Sequence, residues 1–240
     1  MKKEKNMKDE EKDFLSGYNP NDFDRPSVAA DIVVLTIGDS KRLGLLLVER
    51  GEHPYKGSLA LPGVFVRMEE SVDAAAKRAL NEETGLKDIP LVQVGTFGEV
   101  GRDPRMRVIS VAYMAFVPSG RLDKCRPGEK ECRVGVYEIN DTLYEKLAFD
   151  HADIVRTALT RLRNRLDYTD EALDFVEDQE AFTIRELRQV YEAVKGDRID
   201  AGNFHRMFKK KFISGGLAEA TGQKERKSIY KTELYRRIKK

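Results

Sequence analysis

Cysteine is scarce in this chain: Cys125 and Cys132 are the two among 240 residues. With no metal-site partners near them in the sequence, they read as ordinary reduced thiols. That argues against a disulfide framework or a zinc site and makes a reducing cytoplasm the expected compartment. Residues 1–13 are dominated by Lys, Glu and Asp with no hydrophobic stretch, so they read as neither signal peptide nor membrane anchor, and 1–17 are expected to be a disordered charged tail. Net charge is also small, +2, and by itself indicates little about partners. No internal repeat or low-complexity region is evident. What is present is ample core material: 40% of residues are hydrophobic, with 11 Phe and 9 Tyr, enough for one substantial core or two smaller ones.

The most informative segment is LPGVFVRMEESVDAAAKRALNEETGL, residues 61–86. Ser71 is a suitable N-cap, Val72, Ala75, Ala76 and Leu80 recur at helical spacing, and Gly85 supplies a stop, so the pattern predicts one helix over 71–84. Glu82 and Glu83 are adjacent on it, and residues three or four positions earlier share their face. Three carboxylates at that spacing, with Glu70 in the preceding loop, are suited to hard divalent cations that also bind phosphate oxygens. Ala79 occupies the place of the third. Taken alone, the Glu82–Glu83 pair also fits a plain solvated helix face.

The segment resembles the Nudix box: glycine, five residues, Glu, seven residues, Arg-Glu-hydrophobe, any residue, Glu-Glu, any residue, Gly-hydrophobe. Glu70, Arg78, Leu80, Glu82, Glu83, Gly85 and Leu86 stand in register, while Val64 replaces the opening glycine and Ala79 the glutamate after the arginine. The resemblance implies catalytic and metal roles for Glu70, Glu82 and Glu83, with Arg78 orienting Glu70 or Glu82. The missing carboxylate implies a weakened or absent Mg²⁺ site and reduced or absent turnover.

Strand-like runs rich in Val, Ile and Leu at 28–37, 44–50, 92–97, 107–117 and 134–139 surround this helix, and a second helix is expected over 150–166. The fold class is therefore α/β: an α/β/α sandwich with a mixed sheet over 18–166. The acidic stretch DYTDEALDFVEDQE falls in a boundary segment, 167–181, expected to be a linker.

Residues 182–240 have a different rhythm. Thr183 and Glu186 form a capping-box pair before the stripe Ile184, Leu187, Val190, Tyr191 and Val194, which ends at Gly196. A second helix over 201–212 places Phe204, Phe208 and Phe212 on one face. A strand pair or wing is expected over 228–235, completing a winged helix-turn-helix. From Arg206 onward basic residues far outnumber acidic ones, a footprint suited to phosphate backbones. Asn203, His205, Arg206, Lys209 and Lys210 are the outward candidates for base and phosphate contact, followed by Lys224, Arg226 and Lys227. His205 alone is uninformative, and a lysine-rich appendage that serves only solubility is the alternative for the charge pattern.

From about residue 18 to the C-terminus the chain resembles the Nudix-related transcriptional regulators, through FTIRELRQVYEAV, the NF-R recognition helix and LAFDHADI. GTFGEVGRDPRMRVISVAYMAF, residues 95–116, is similar to the ADP-ribose pyrophosphatase branch. Arg102, Asp103 and Arg105, with Arg50 and with Phe97 stacking on a base, are candidates for holding a pyrophosphate-bearing effector; a charged Asp-Pro turn is the simpler alternative for the RDPR segment, and service to the box or a plain solvated side chain are the alternatives for Arg50. The resemblance implies a homodimeric regulator that binds double-stranded operator DNA and senses a nucleotide-sugar or sugar-phosphate effector such as ADP-ribose. The alternative is a Mg²⁺-dependent hydrolase of ADP-ribose or a related nucleoside diphosphate.

Overall fold

The structure is a computed structural model that describes residues 9–227 and 230–238. Seven strands form one mixed sheet: β1 (Ser27–Ile37), β2 (Leu43–Arg50), β3 (Leu59–Ala60), β4 (Gly63–Phe65), β5 (Val92–Phe97), β6 (Val108–Phe116) and β7 (Glu131–Glu138). The order is β3-β2-β1-β6-β5, with β4 paired to β1 and β7 to β2. β1 and β6 run parallel over nine residue pairs, which places β1 at the centre. A central strand covered on both faces reads as a continuous apolar run, and ADIVVLTI is one.

Alternation along β1 divides the interior. Ala30, Ile32 and Val34 pack on one side with Ala75, Ala76, Ala79 and Leu80 of helix α2 (Val72–Thr84), which follows helix α1 (Asp9–Gly17) in the chain. Val33 and Leu35 pack on the other side, against Ile154, Ala158, Leu159 and Leu162 of helix α5 (His151–Arg165). Two short helices, α3 (Ser119–Leu122) and α4 (Asp141–Tyr144), lie in the connections. The expected sandwich is therefore present, with β3 and β4 added as short strands that carry no periodic signal of their own. The Ser71 hydroxyl accepts from the Ala74 backbone N–H at 3.1 Å, and Gly85 closes α2 at φ 77°. Such an N-cap is worth about 1 kcal/mol.

Two expectations need correction. Asp9–Gly17 is a helix, not a disordered tail, although its residues 11–17 are exposed; residues 1–8 lie outside the described residues. Residues 167–181 are not a solvated linker. A 3-10 turn, Glu171–Phe175, buries Leu173 and Phe175 in the core, and the Phe175 ring lies 5.0 Å from that of Phe116 on β6. Four acidic residues of this segment are in ion pairs: Asp167 with Lys195, Glu171 with Arg165, and Asp170 and Asp174 with Arg237.

The C-terminal unit comprises α6 (Ile184–Lys195), α7 (Ala201–Phe208) and the antiparallel hairpin β8 (Ala218–Lys227) and β9 (Tyr230–Arg237). The capping box is complete: the Thr183 hydroxyl accepts from Glu186 N–H at 3.1 Å, and the Glu186 carboxylate accepts from Thr183 N–H at 2.8 Å. Phe204, Phe208 and Phe212 are buried, and Phe208 packs against Phe182, Phe212 and Tyr235. The wing begins ten residues earlier than expected, at Ala218, because AEATGQKERK is too polar to read as a strand. Its partner β9 supplies the backbone pairing, and Tyr235 is bridged in turn to Phe182. The helical path past α7 continues as one π turn, Lys209–Ile213, with Ser214 N–H donating to the Lys209 carbonyl. Residues of both halves belong to one continuous apolar cluster, running from Val33 to Tyr235.

Candidate functional site

A cleft of about 690 Å³ opens at the end of the sheet where β1, β2 and β4 meet the N-terminus of α5 and the C-terminal end of α2. The LPG turn shapes its floor. Ile32 N–H donates to the Pro62 carbonyl at 2.8 Å, and Leu61 N–H donates to His151 Nδ1 at 3.0 Å. His151 is buried, which holds its pKa below the ordinary value; with Nδ1 an acceptor, the neutral ring carries its proton on Nε2, 3.9 Å from Asp31 Oδ1. A Cβ at Gly63 would lie 2.2 Å from Asp31 Oδ1, so glycine is required for this approach.

The box residues are mutually engaged. Arg78 Nε and Nη2 donate to the Glu70 carboxylate at 3.0 and 2.5 Å, and Nη1 donates to Glu82 at 3.0 Å. Hydrogen bonding from Arg78, then from the Arg67 backbone, pulls the Glu70 carboxyl down to about 2. Glu83 behaves in the opposite sense. Burial first, then the Glu131 carboxylate, pushes it up to about 8, against the stabilising Gly63 N–H that its Oε2 accepts at 2.8 Å. Ala79 is fully buried beside Ala75, Ala76 and Leu80, so the position the box reserves for a glutamate is sealed from solvent.

These residues do not fit a divalent cation. Glu70 and Glu82 face the Arg78 guanidinium, one Glu83 oxygen accepts from Gly63 N–H, and among the described residues no three acidic, histidine or cysteine side chains are grouped to hold a metal. A guanidinium already supplies the positive charge that a cation would bring.

The raised Glu83 pKa gives a signed expectation. Between its ordinary value and about 8, the folded protein retains a proton that the unfolded chain has released. Stability therefore falls as pH rises through that window, and the full cost is reached above it. Glu83→Gln keeps an acceptor for Gly63 N–H but cannot ionise. It is expected to melt a few degrees above wild type near pH 9, a gain of about 1–2 kcal/mol, and to match wild type near pH 5. Paired thermal melts check this; an equal offset at both pH values contradicts it.

Of the effector candidates, Arg50, Arg102, Asp103 and Arg105 all line the cleft. Their states differ. Arg102 is buried and committed, donating to Asp150 at 2.7 and 2.5 Å with Asp31 at 3.5 Å. Asp103 holds Arg105 through two side-chain hydrogen bonds of 3.0 and 2.7 Å, which lowers its own pKa. Arg50 donates through Nε to the Pro54 carbonyl, and its guanidinium stands 4.9 Å from the Phe149 ring centre; Arg105 stands 5.6 Å from Phe65 and 5.9 Å from Phe149. Burial first, then Arg105, lowers the Arg50 pKa. Two cations beside two aromatic faces can hold an anionic group next to a planar one.

Phe97 is not among the lining residues. It packs on the face occupied by α5, because a bulge between Gln93 and Gly95 shifts the register of β5. One extra residue transfers every later side chain to the other face. The aromatic lining comes from Phe65 and Phe149 instead. His151 and Asp31 also line the cleft, and the signal for Asp31 is a single carboxylate inside the apolar run of β1.

The second candidate surface lies on the C-terminal unit. Asn203, His205, Arg206, Lys209 and Lys210 are exposed opposite the buried Phe204, Phe208 and Phe212. The Asp200 carboxylate caps α7 by accepting from Asn203 N–H at 2.9 Å, and Arg206 Nη2 donates to the Asn203 side-chain oxygen. Lys224 is exposed on β8, whose backbone also carries Arg226 and Lys227; the side chains of the latter two lie outside the described residues.

Comparison with known proteins agrees with this anatomy. Residues 25–158 match the NUDIX domain family, and residues 179–236 match the NrtR DNA-binding winged helix domain. The chain is 31% identical over 228 residues to the ADPR responsive transcriptional repressor NtrR of Acinetobacter baylyi, covering 94% of this chain and 88% of that one. It is 37% identical over 133 residues to the ADP-ribose pyrophosphatase of Methanocaldococcus jannaschii, covering 55% of this chain and 72% of the relative. Among solved structures it is similar to Shewanella oneidensis NrtR complexed with a 27mer DNA, with a TM-score of 0.74, 28% identity, and 88% and 93% of the two chains covered. The Nudix domain of that same protein has been solved with ADP-ribose and matches at a TM-score of 0.57 and 31% identity, over 65% of this chain and 99% of the domain. A Nudix domain carrying a substituted box, followed by an NrtR-type winged helix, places the chain in the NrtR-type family of Nudix-related transcriptional regulators.

Proposed function

We propose that this chain is a transcriptional regulator whose winged helix binds double-stranded operator DNA and whose cleft senses ADP-ribose without cleaving it. The observation that carries the second half is the state of the box: Arg78 is bonded to Glu70 and Glu82, and Ala79 is sealed in the core. Holding a diphosphate needs cations and an aromatic face, and Arg50, Arg105, Phe65 and Phe149 supply both. Hydrolysing it needs charge placed where the transition state develops, and the carboxylates that would organise such charge are neutralised within the protein. ADP-ribose is chosen because the A. baylyi relative is named as responsive to it and the S. oneidensis Nudix domain binds it.

The regulator acts as a homodimer in this reading, with two winged helices addressing two half-sites. The ligand changes DNA affinity by binding one arrangement of the dimer more tightly than the other. A second reading, a Mg²⁺-dependent hydrolase, is favoured by the identity to the M. jannaschii pyrophosphatase; Nudix hydrolases generally use such a metal. It requires Arg78 to release Glu70 and Glu82.

A gel shift with duplex from upstream of the protein's own coding sequence, repeated over a salt series and a panel of metabolites, separates the two. The regulator reading expects a specific complex that weakens with salt and responds to ADP-ribose. Absence of any specific complex, with release of AMP from ADP-ribose in Mg²⁺, sinks it.

A further inference from the structure

The cleft and the winged helix are joined by α5, and the two ends of that helix carry contacts whose purpose the reading above leaves open. At its start, Phe149 and His151 line the cleft, and Asp150 holds the buried Arg102. Phe149 itself sits at φ 55°, the left-handed region that a bulky residue rarely adopts. A cleft ligand that presses on its ring therefore acts on a backbone position two residues before α5. The helix then runs 15 residues, about 22 Å at its usual rise per residue.

At the far end the Leu166 carbonyl accepts two donors, Lys211 Nζ at 2.6 Å and the Tyr191 hydroxyl at 2.9 Å, and Lys211 Nζ also donates to that hydroxyl at 2.8 Å. Lys211 belongs to the π turn that extends α7. Its neighbours Lys209 and Lys210 face solvent, whereas its ammonium points inward, 4.9 Å from the Phe212 ring centre and 5.5 Å from that of Tyr191. Asp167, Asp170 and Glu171 lie near enough to attract it but make no direct pair with it among the described residues. Turning an ammonium toward neutral acceptors carries a desolvation cost that an apolar side chain of similar length avoids. The gain from such a contact is positional: it fixes the DNA-reading segment against the end of α5.

Resting on the ligand-gated DNA-binding reading, we propose that Lys211 is a positioning residue that transmits cleft occupancy to the DNA-reading helix, through the Leu166 carbonyl at the end of α5 and the Tyr191 hydroxyl on α6. It does not touch DNA or ligand. Movement at Phe149 and Asp150 displaces α5, and the Leu166–Lys211 bond carries the displacement into the orientation of α7.

The test uses the full chain, a fluorescently labelled duplex from upstream of its own coding sequence, and ADP-ribose as the probe. Duplex affinity is measured by anisotropy with and without ADP-ribose, and ADP-ribose affinity by calorimetry. In Lys211→Met, which keeps length and apolar reach, both separate affinities are expected within about threefold of wild type. The ratio of duplex affinities with and without ADP-ribose, of the order of 5-fold or more in wild type, is expected to fall toward one. A destabilised Lys211→Met is replaced by Tyr191→Phe, which removes one hydroxyl and is expected to lower the same ratio, with Lys211→Arg retaining most of it. A wild-type response that persists intact in both Lys211→Met and Tyr191→Phe overturns the coupling alone. A wild-type duplex affinity indifferent to ADP-ribose overturns the functional reading and the coupling with it.

Discussion

Replacing Lys209 and Lys210 together by alanine is expected to lower affinity for the operator duplex about 100-fold at moderate salt and to reduce the slope of log affinity against log salt by roughly 2. Both side chains are exposed on the π turn that continues α7, on the side opposite Phe208 and Phe212, and neither forms an ion pair among the described residues. In the proposed DNA complex these lysines would meet phosphates, and each phosphate neutralised releases about one counterion. The loss is expected to be nearly uniform across duplex sequences, because phosphate contacts position a protein without reading bases. Arg206→Ala and Asn203→Ala serve as the contrast, since base-edge contacts lower specific binding more than non-specific binding. Anisotropy titrations over a salt series on specific and scrambled duplexes measure this. An unchanged salt slope in the double variant shows that the wing or another face meets the backbone.

Arg50→Ala is expected to weaken ADP-ribose binding about 50-fold while leaving thermal stability close to wild type. The Arg50 guanidinium lies over Phe149 beside Arg105, and its one backbone hydrogen bond is at the cleft edge. Removing a charge-assisted contact to a buried phosphate costs about 2–3 kcal/mol, which corresponds to that factor. Arg102→Ala is expected to do the reverse. Arg102 is buried and joins Asp150 and Asp31, so its loss leaves two carboxylates in the interior with no cation, a cost of about 3–5 kcal/mol in stability. Calorimetric titration with ADP-ribose and thermal melts on both variants separate the roles. Comparable loss of ligand affinity at equal stability for the two would return Arg102 to the ligand.

That contrast shows where the sequence informs and where it stops. Local signals were legible: the Ser71 cap, the Gly85 stop, the Thr183–Glu186 capping box and the Phe204, Phe208, Phe212 stripe each act within one or two helical turns and appear as the pattern dictates. The resemblance to the box implies that Arg78 orients Glu70 or Glu82, and Arg78 is bonded to both. Long-range partners were not legible. Nothing in RDPR indicates that Arg102 is hydrogen-bonded to Asp150, 48 residues away, while Arg105 is hydrogen-bonded to the nearby Asp103. Phe97 failed for a geometric reason, since a bulge two or three residues earlier reverses the face and no residue type announces it. The cleft aromatics Phe65 and Phe149 sit in a short strand and a loop, where periodicity gives no direction. The 167–181 segment reads as a linker because its charges are conspicuous, yet Asp170, Glu171 and Asp174 are paired with Arg165 and Arg237, and its Leu173 and Phe175 complete the core between the two halves.

The most direct measurement follows DNA and ligand in one vessel: full-length protein, labelled upstream duplex, ADP-ribose and Mg²⁺, with anisotropy read continuously and AMP quantified at the end. The predicted result is a specific complex whose affinity shifts at least about 5-fold on adding ADP-ribose, with the ADP-ribose recovered intact. Rapid conversion of ADP-ribose to AMP while the duplex stays unbound would contradict it.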